Sequence, residues 1–159
     1  MKPKTMALWL FAVIIGIGFC GTAVLFYVIP SLASSVCREF PEFAGAFWPW
    51  MIFLWISALP CYAVLCCGGA IAAAIGKENA FSHQNARRLL TIAHLAAADT
   101  VFFFAGNVVL FLLSMSHPSV FLAAMGICFA GICVIIVART LAYFTQKAAV
   151  LHEDAALTI

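Results

Sequence analysis

Lys77-Glu78-Asn79-Ala80-Phe81-Ser82-His83-Gln84-Asn85-Ala86-Arg87-Arg88 is a long polar run between two blocks that are otherwise almost wholly apolar. It divides the chain into two hydrophobic pairs. With two arginines and one lysine against one glutamate, it is also the most basic connection between apolar segments. Short connections rich in Lys and Arg stay on the cytoplasmic side of a membrane, so the hinge at 76–88 and both chain ends are expected there.

Composition sets the solvent. A chain of 159 residues that is 66% hydrophobic and 9% charged cannot bury that much apolar surface in a water-soluble domain, so it is read as an integral membrane protein. The net charge of +2 is small and the basic residues flank apolar blocks, which orients the chain and implies no direct contact with nucleic acid. Six of the seven cysteines, Cys20, Cys61, Cys66, Cys67, Cys128 and Cys133, sit inside apolar runs and read as small packing residues. Cys37 alone falls in an expected external loop.

Outward from the hinge, the apolar runs predict an all-α, single-domain, four-helix transmembrane bundle with spans at about 6–29, 48–75, 89–115 and 119–144, each long enough for a bilayer that needs roughly 20 residues. The first run is longer than the roughly 7–15 apolar residues of a signal peptide, and Phe19 is too bulky for a lipoprotein cleavage box ending at Cys20. Pro30 is expected to close span one, leaving 31–47 as an outer loop. There Phe40, Phe43, Phe47, Trp48 and Trp50 read as an interfacial aromatic belt. Pro60 should kink the second span. Ser82 is the expected N-cap of the third helix, with Asn85 three positions on. Met115-Ser116-His117-Pro118 is a very short turn, making the third and fourth helices antiparallel neighbours. Beyond them, 146–159 forms a cytoplasmic tail whose first part continues as a helix.

The segment Phe81-Ser82-His83-Gln84-Asn85-Ala86-Arg87-Arg88-Leu89 resembles the signature that follows the second span in a bacterial four-span family, domain of unknown function 2975. The terminus Leu151-His152-Glu153-Asp154-Ala155-Ala156-Leu157-Thr158-Ile159 is similar to that family's closing motif, Leu-x-Glu-Glu-Asn-Asp-Leu-Thr-Ile. Ala155 and Ala156 stand where the family usually carries Asn and Asp, so this chain offers no polar side chain at those two positions. The resemblance implies a bacterial inner-membrane location and, as a partner, a small cytoplasmic helix-turn-helix regulator.

Two charges fall inside the apolar runs: Asp99 in the third span and Arg139 in the fourth. Asp99 lies about 15 Å inward from Leu89 and Arg139 about 8 Å inward from Phe144, at 1.5 Å per residue. The depth difference is about one arginine side chain, so an intramembrane Asp99–Arg139 pair is geometrically allowed, and lipid makes each charge seek a partner. That pair serves structure, or it belongs to a functional polar site lined by Asn107, Thr140, Tyr143 and His94, or the two charges do not meet. No paired carboxylates, buried nucleophile or phosphate-cradling loop is present, so an enzyme is not expected. His83, His117 and His152 lie in loops or the tail, which leaves no metal or cofactor site in view.

Three roles follow. The leading one is a signalling or regulatory protein that docks a soluble partner through Arg87, Arg88, Glu153 and Asp154. The second is an ion or small-solute transporter or channel subunit built around Asp99, which requires homo-oligomers because four spans enclose little volume. The third is a structural scaffold.

Overall fold

The computed structural model describes the backbone of residues 3–157 and the side chains of residues 3–151. All regular structure among the described residues is helical: α1 (Pro3–Ala23), a π-turn (Val24–Val28), α2 (Ile29–Glu39), a 3-10 segment (Pro41–Ala46), α3 (Phe47–Gly76), α4 (His83–Leu112) and α5 (Pro118–Leu157). Four stretches are long and apolar enough to cross a bilayer, within Pro3–Glu39, Pro41–Gly76, His83–Leu112 and Pro118–Leu151. In hydrocarbon every backbone polar group needs a partner within the protein, and a helix supplies one locally.

The first helix does not stop at Pro30. It continues to Glu39, a run of 37 residues, and so reaches about 55 Å, well beyond a hydrocarbon core of about 30 Å. The accommodation lies just upstream, where Ile29 N–H bonds to the Val24 carbonyl five residues back and widens the turn by one residue. A proline ring ordinarily strikes the carbonyl four residues before it, and the widened turn relieves that clash. Pro30 then falls at the start of α2 within the continuous run, where its fixed φ of about −65° is compatible with the helix. The expected loop at 31–47 is therefore mostly helix. Pro60 is likewise passed through, inside a continuous α3.

Both reversals of the second half close on the same motif. After α3, Asn79 N–H reaches Ala74 O at 3.0 Å and Glu78 N–H reaches Ile75 O at 3.0 Å; after α4, Met115 N–H reaches Leu110 O at 2.9 Å and Ser114 N–H reaches Phe111 O at 3.0 Å. These are Schellman closures, in which one residue must take positive φ. Glu78 (φ 61°) and Ser114 (φ 56°) occupy those positions in place of glycine. Ser82 caps α4 as expected, its Oγ accepting Asn85 N–H at 3.3 Å.

The spanning helices join in chain order. α4 packs most extensively on α5, α3 packs on α4 and α1 on α3, and among the described residues no other pair of spanning helices shares more than marginal contact. The result is an open row with α1 and α5 at its edges. Leu8, Ile15 and Phe19 of α1 are 69%, 68% and 76% exposed, leaving one whole side of that helix uncovered by the chain. The buried core lies toward the α4–α5 turn, where Phe53 meets Phe103, Leu110, Ala124 and Cys128. Phe53 stacks on Phe103 with centroids 5.4 Å apart. Gly106 makes room for the Phe53 ring and Gly131 for Thr100, and a Cβ at either glycine would overlap its neighbour.

Candidate functional site

Asp99 sits near the middle of α4 and faces α3. Ser57 Oγ donates to its Oδ1 at 2.8 Å, and Cys61 Sγ donates to its Oδ2 at 3.6 Å. Ser57 and Cys61 are four residues apart, one helical turn, so α3 presents both donors on one stripe. Between them stands Pro60, which removes the backbone donor that would otherwise engage the Ile56 carbonyl. A carboxylate, a hydroxyl, a thiol and an interrupted helical ladder thus meet at mid-depth. This grouping can hold a proton or a small cation, since each oxygen keeps acceptor capacity beyond the single bond it receives.

Arg139 is not part of it. Arg139 makes no ion pair with any described residue, and it is exposed on α5. The helical register gives the reason: Gly131 backs onto Thr100, and Ile92 shares a shallow groove with Ala138. Arg139 is therefore level with about Ile92, roughly 10 Å along the axis from Asp99. The side chains differ in facing as well as in depth, because Asp99 turns to α3 while α5 lies on the other flank of α4.

The expected lining residues do not gather around Asp99. His94, Thr140 and Tyr143 are exposed. Asn107 is fully buried two turns away, where Nδ2 donates to Phe103 O at 2.8 Å and Oδ1 has no hydrogen-bond partner. Of the cysteines, Cys128 is buried, Cys37 and Cys67 are half-buried, and Cys20, Cys61, Cys66 and Cys133 are exposed, so most of them do not pack inside this chain.

At the opposite end of α4 the hinge is clamped rather than loose. Asn85, 1% exposed, donates through Nδ2 to the carbonyls of Asn79 and Ala80 at 3.1 and 3.0 Å. Its Oδ1 accepts Arg88 Nη1 at 2.9 Å, and the same nitrogen reaches Ala70 O on α3 at 3.1 Å. Arg88 is thereby turned inward as a latch between α3 and α4, while Arg87 remains exposed. α5 runs past this level to Leu157, with Ala142, Thr145 and Ala149 buried along one stripe. The side chains of Glu153 and Asp154 lie outside the described residues.

A cavity of about 700 Å³ opens at the end where α4 turns into α5, bounded by α2, the 3-10 segment, the first turns of α3 and the turn itself. The sequence reading missed it because α2 was expected to be a loop. A legible signal existed: Leu32, Val36, Phe40 and Phe43 recur at helical spacing.

Four helices of bilayer length, apolar around most of their circumference, define a polytopic membrane protein. Comparison with known proteins narrows the class. The chain belongs to the family described as "Protein of unknown function (DUF2975)", whose model matches residues 31–159. It is 26% identical over 160 residues to the "Uncharacterized membrane protein YoaS" of Bacillus subtilis (strain 168), with 99% of each chain covered. No solved structure matches.

Proposed function

We propose that the chain is a regulatory protein of the bacterial inner membrane whose hinge end faces the cytoplasm and docks a soluble partner. The observation that carries this reading is the continuation of α5 to Leu157, beyond the level at which α4 begins, beside a hinge held in one conformation. A projecting helix next to a fixed basic turn is a preorganised surface, and preorganisation lowers the ordering cost of binding. Arg87 and Lys77, both exposed, supply its positive charge, and Glu153 and Asp154 add an acidic step further along the helix. The family resemblance points to a small helix-turn-helix regulator as the partner. Arg88, being latched to Ala70 and Asn85, supports the surface from within.

The test is co-purification in gentle detergent, comparing the full chain, a chain ending at Leu151 and Arg87→Glu. Ending at Leu151 keeps Ala142, Thr145 and Ala149, the buried stripe of α5. A soluble regulator recovered with the full chain and lost from both variants supports docking. Recovery of the same proteins with all three sinks it.

One observation favours a second reading, transport by an oligomer: the Asp99–Ser57–Cys61 grouping beside Pro60, since intramembrane carboxylates commonly mark ion pathways. In proteoliposomes, Asp99→Asn should then abolish proton or sodium uptake while leaving partner capture intact. Uptake unchanged by this substitution would discard the transport reading.

A further inference from the structure

The cavity at the turn end is lined by aliphatic and aromatic side chains with few polar groups among them. Ile29, Leu32 and Val36 of α2 and Leu54 of α3 form its aliphatic wall. Phe40, Phe43, Phe47 and Trp50 form its aromatic wall. Trp50 is pinned, because Nε1 donates to Met115 O at 2.9 Å and leaves the ring face as a fixed wall. α2 and the 3-10 segment are tied by Cys37 Sγ donating to Phe43 O at 3.6 Å.

The charge on this lining has one sign. Glu42 is the sole carboxylate among the lining residues, and no lysine or arginine is among them. Glu42 enters no hydrogen bond or ion pair within the described residues, although Arg38 lies in the last turn of α2. His117 and Ser119, also on the lining, are joined to each other, Nδ1 of His117 accepting Ser119 N–H at 3.3 Å. A phospholipid placed here would set its phosphate against Glu42 with no cation on the wall. A neutral chain would leave the carboxylate and the aromatic faces unused.

We propose that this cavity binds a lipophilic cation, a hydrophobic organic ammonium or phosphonium that enters from the bilayer or its interface. Aromatic faces attract a cation through their quadrupoles, and the one carboxylate on the lining, Glu42, supplies the counter-charge. The cavity's volume is that of a small-molecule site, for which about 300–1,000 Å³ is usual. The site is at the far end of the molecule from the proposed docking surface, and neither proposal depends on the other.

Tetraphenylphosphonium and tetraphenylborate have nearly the same shape and opposite charge, so they separate charge recognition from simple partitioning. The full chain in phosphatidylcholine nanodiscs is titrated with each ion, and binding to empty nanodiscs is subtracted. The expected result is saturable binding of one phosphonium per chain with no comparable borate site. Glu42→Gln should weaken phosphonium binding by about tenfold, the effect of losing the one counter-charge on the lining. Leu32→Trp, which fills the cavity from α2, should remove the saturable component. Helix content and elution volume verify that both variants are folded. Equal saturable binding of the two ions, full phosphonium affinity in Glu42→Gln, or no saturable phosphonium binding to the unaltered chain would each overturn the proposal.

Discussion

Ser114 and Glu78 hold the left-handed position of a helix closure without being glycine. A side chain in that region costs roughly 1–2 kcal/mol against the neighbouring carbonyl. Ser114→Gly is therefore expected to stabilise the chain by about 1 kcal/mol, read as a shift in reversible unfolding in mixed micelles. Asn85 carries the opposite sign. It satisfies two hinge carbonyls and the Arg88 latch from a fully buried position. Truncating Asn85→Ala leaves those groups without it and should cost about 2–3 kcal/mol in the same assay. Asp99 belongs to this scale too. It was visible as a charge in an apolar run, whereas its partners Ser57 and Cys61 are ordinary small residues until α3 is placed against α4.

Among the elements, the contact of α3 with α4 is the tightest that glycine enforces. Because Gly106 backs directly onto the Phe53 ring, Gly106→Ala should destabilise by about 2 kcal/mol through overpacking. Phe53→Leu in the same chain should recover part of that loss. Gly126 is the control, since a Cβ there meets nothing within 4 Å, and its alanine variant should lie within about 0.5 kcal/mol of the parent. The α1–α3 contact is weaker in kind. Thr22 Oγ1 donates to Gly18 O at 2.8 Å, so Tyr62 is the donor in the 2.6 Å bond between Thr22 and Tyr62. Tyr62→Phe should cost about 0.6 kcal/mol, typical of one interhelical hydrogen bond in a membrane, while leaving α4–α5 contacts unchanged.

For the whole molecule, the open row makes a sharp geometric prediction. Cys20 on α1 and Cys133 on α5 are both exposed, at comparable depth, and separated by α3 and α4. In a chain retaining only these two cysteines, oxidation should yield no bridge within a chain, because two intervening helices at about 8–10 Å each hold the thiols apart. An intrachain bridge formed in high yield would mean that α1 and α5 meet and the row closes. The same openness leaves apolar flanks on both edge helices, which lipid covers without penalty.

Much of this architecture was legible from composition and spacing alone. The apolar run lengths define four crossings, Ser82 and Asn85 announce the start of α4, and the short turn before Pro118 makes α4 and α5 antiparallel neighbours. These properties depend on local chemistry: backbone satisfaction in lipid, capping and chain reach. Tertiary structure alone decided the rest. Whether Pro30 ends a helix depended on a π-turn one residue upstream that no residue type encodes. Whether Asp99 meets Arg139 depended on which flank of α4 each neighbour takes, and whether α2 walls a cavity depended on its approach to α3 and the α4–α5 turn. Such outcomes are set by rotation and register between helices, and a hydrophobic run facing lipid on most sides carries little pattern to specify either one.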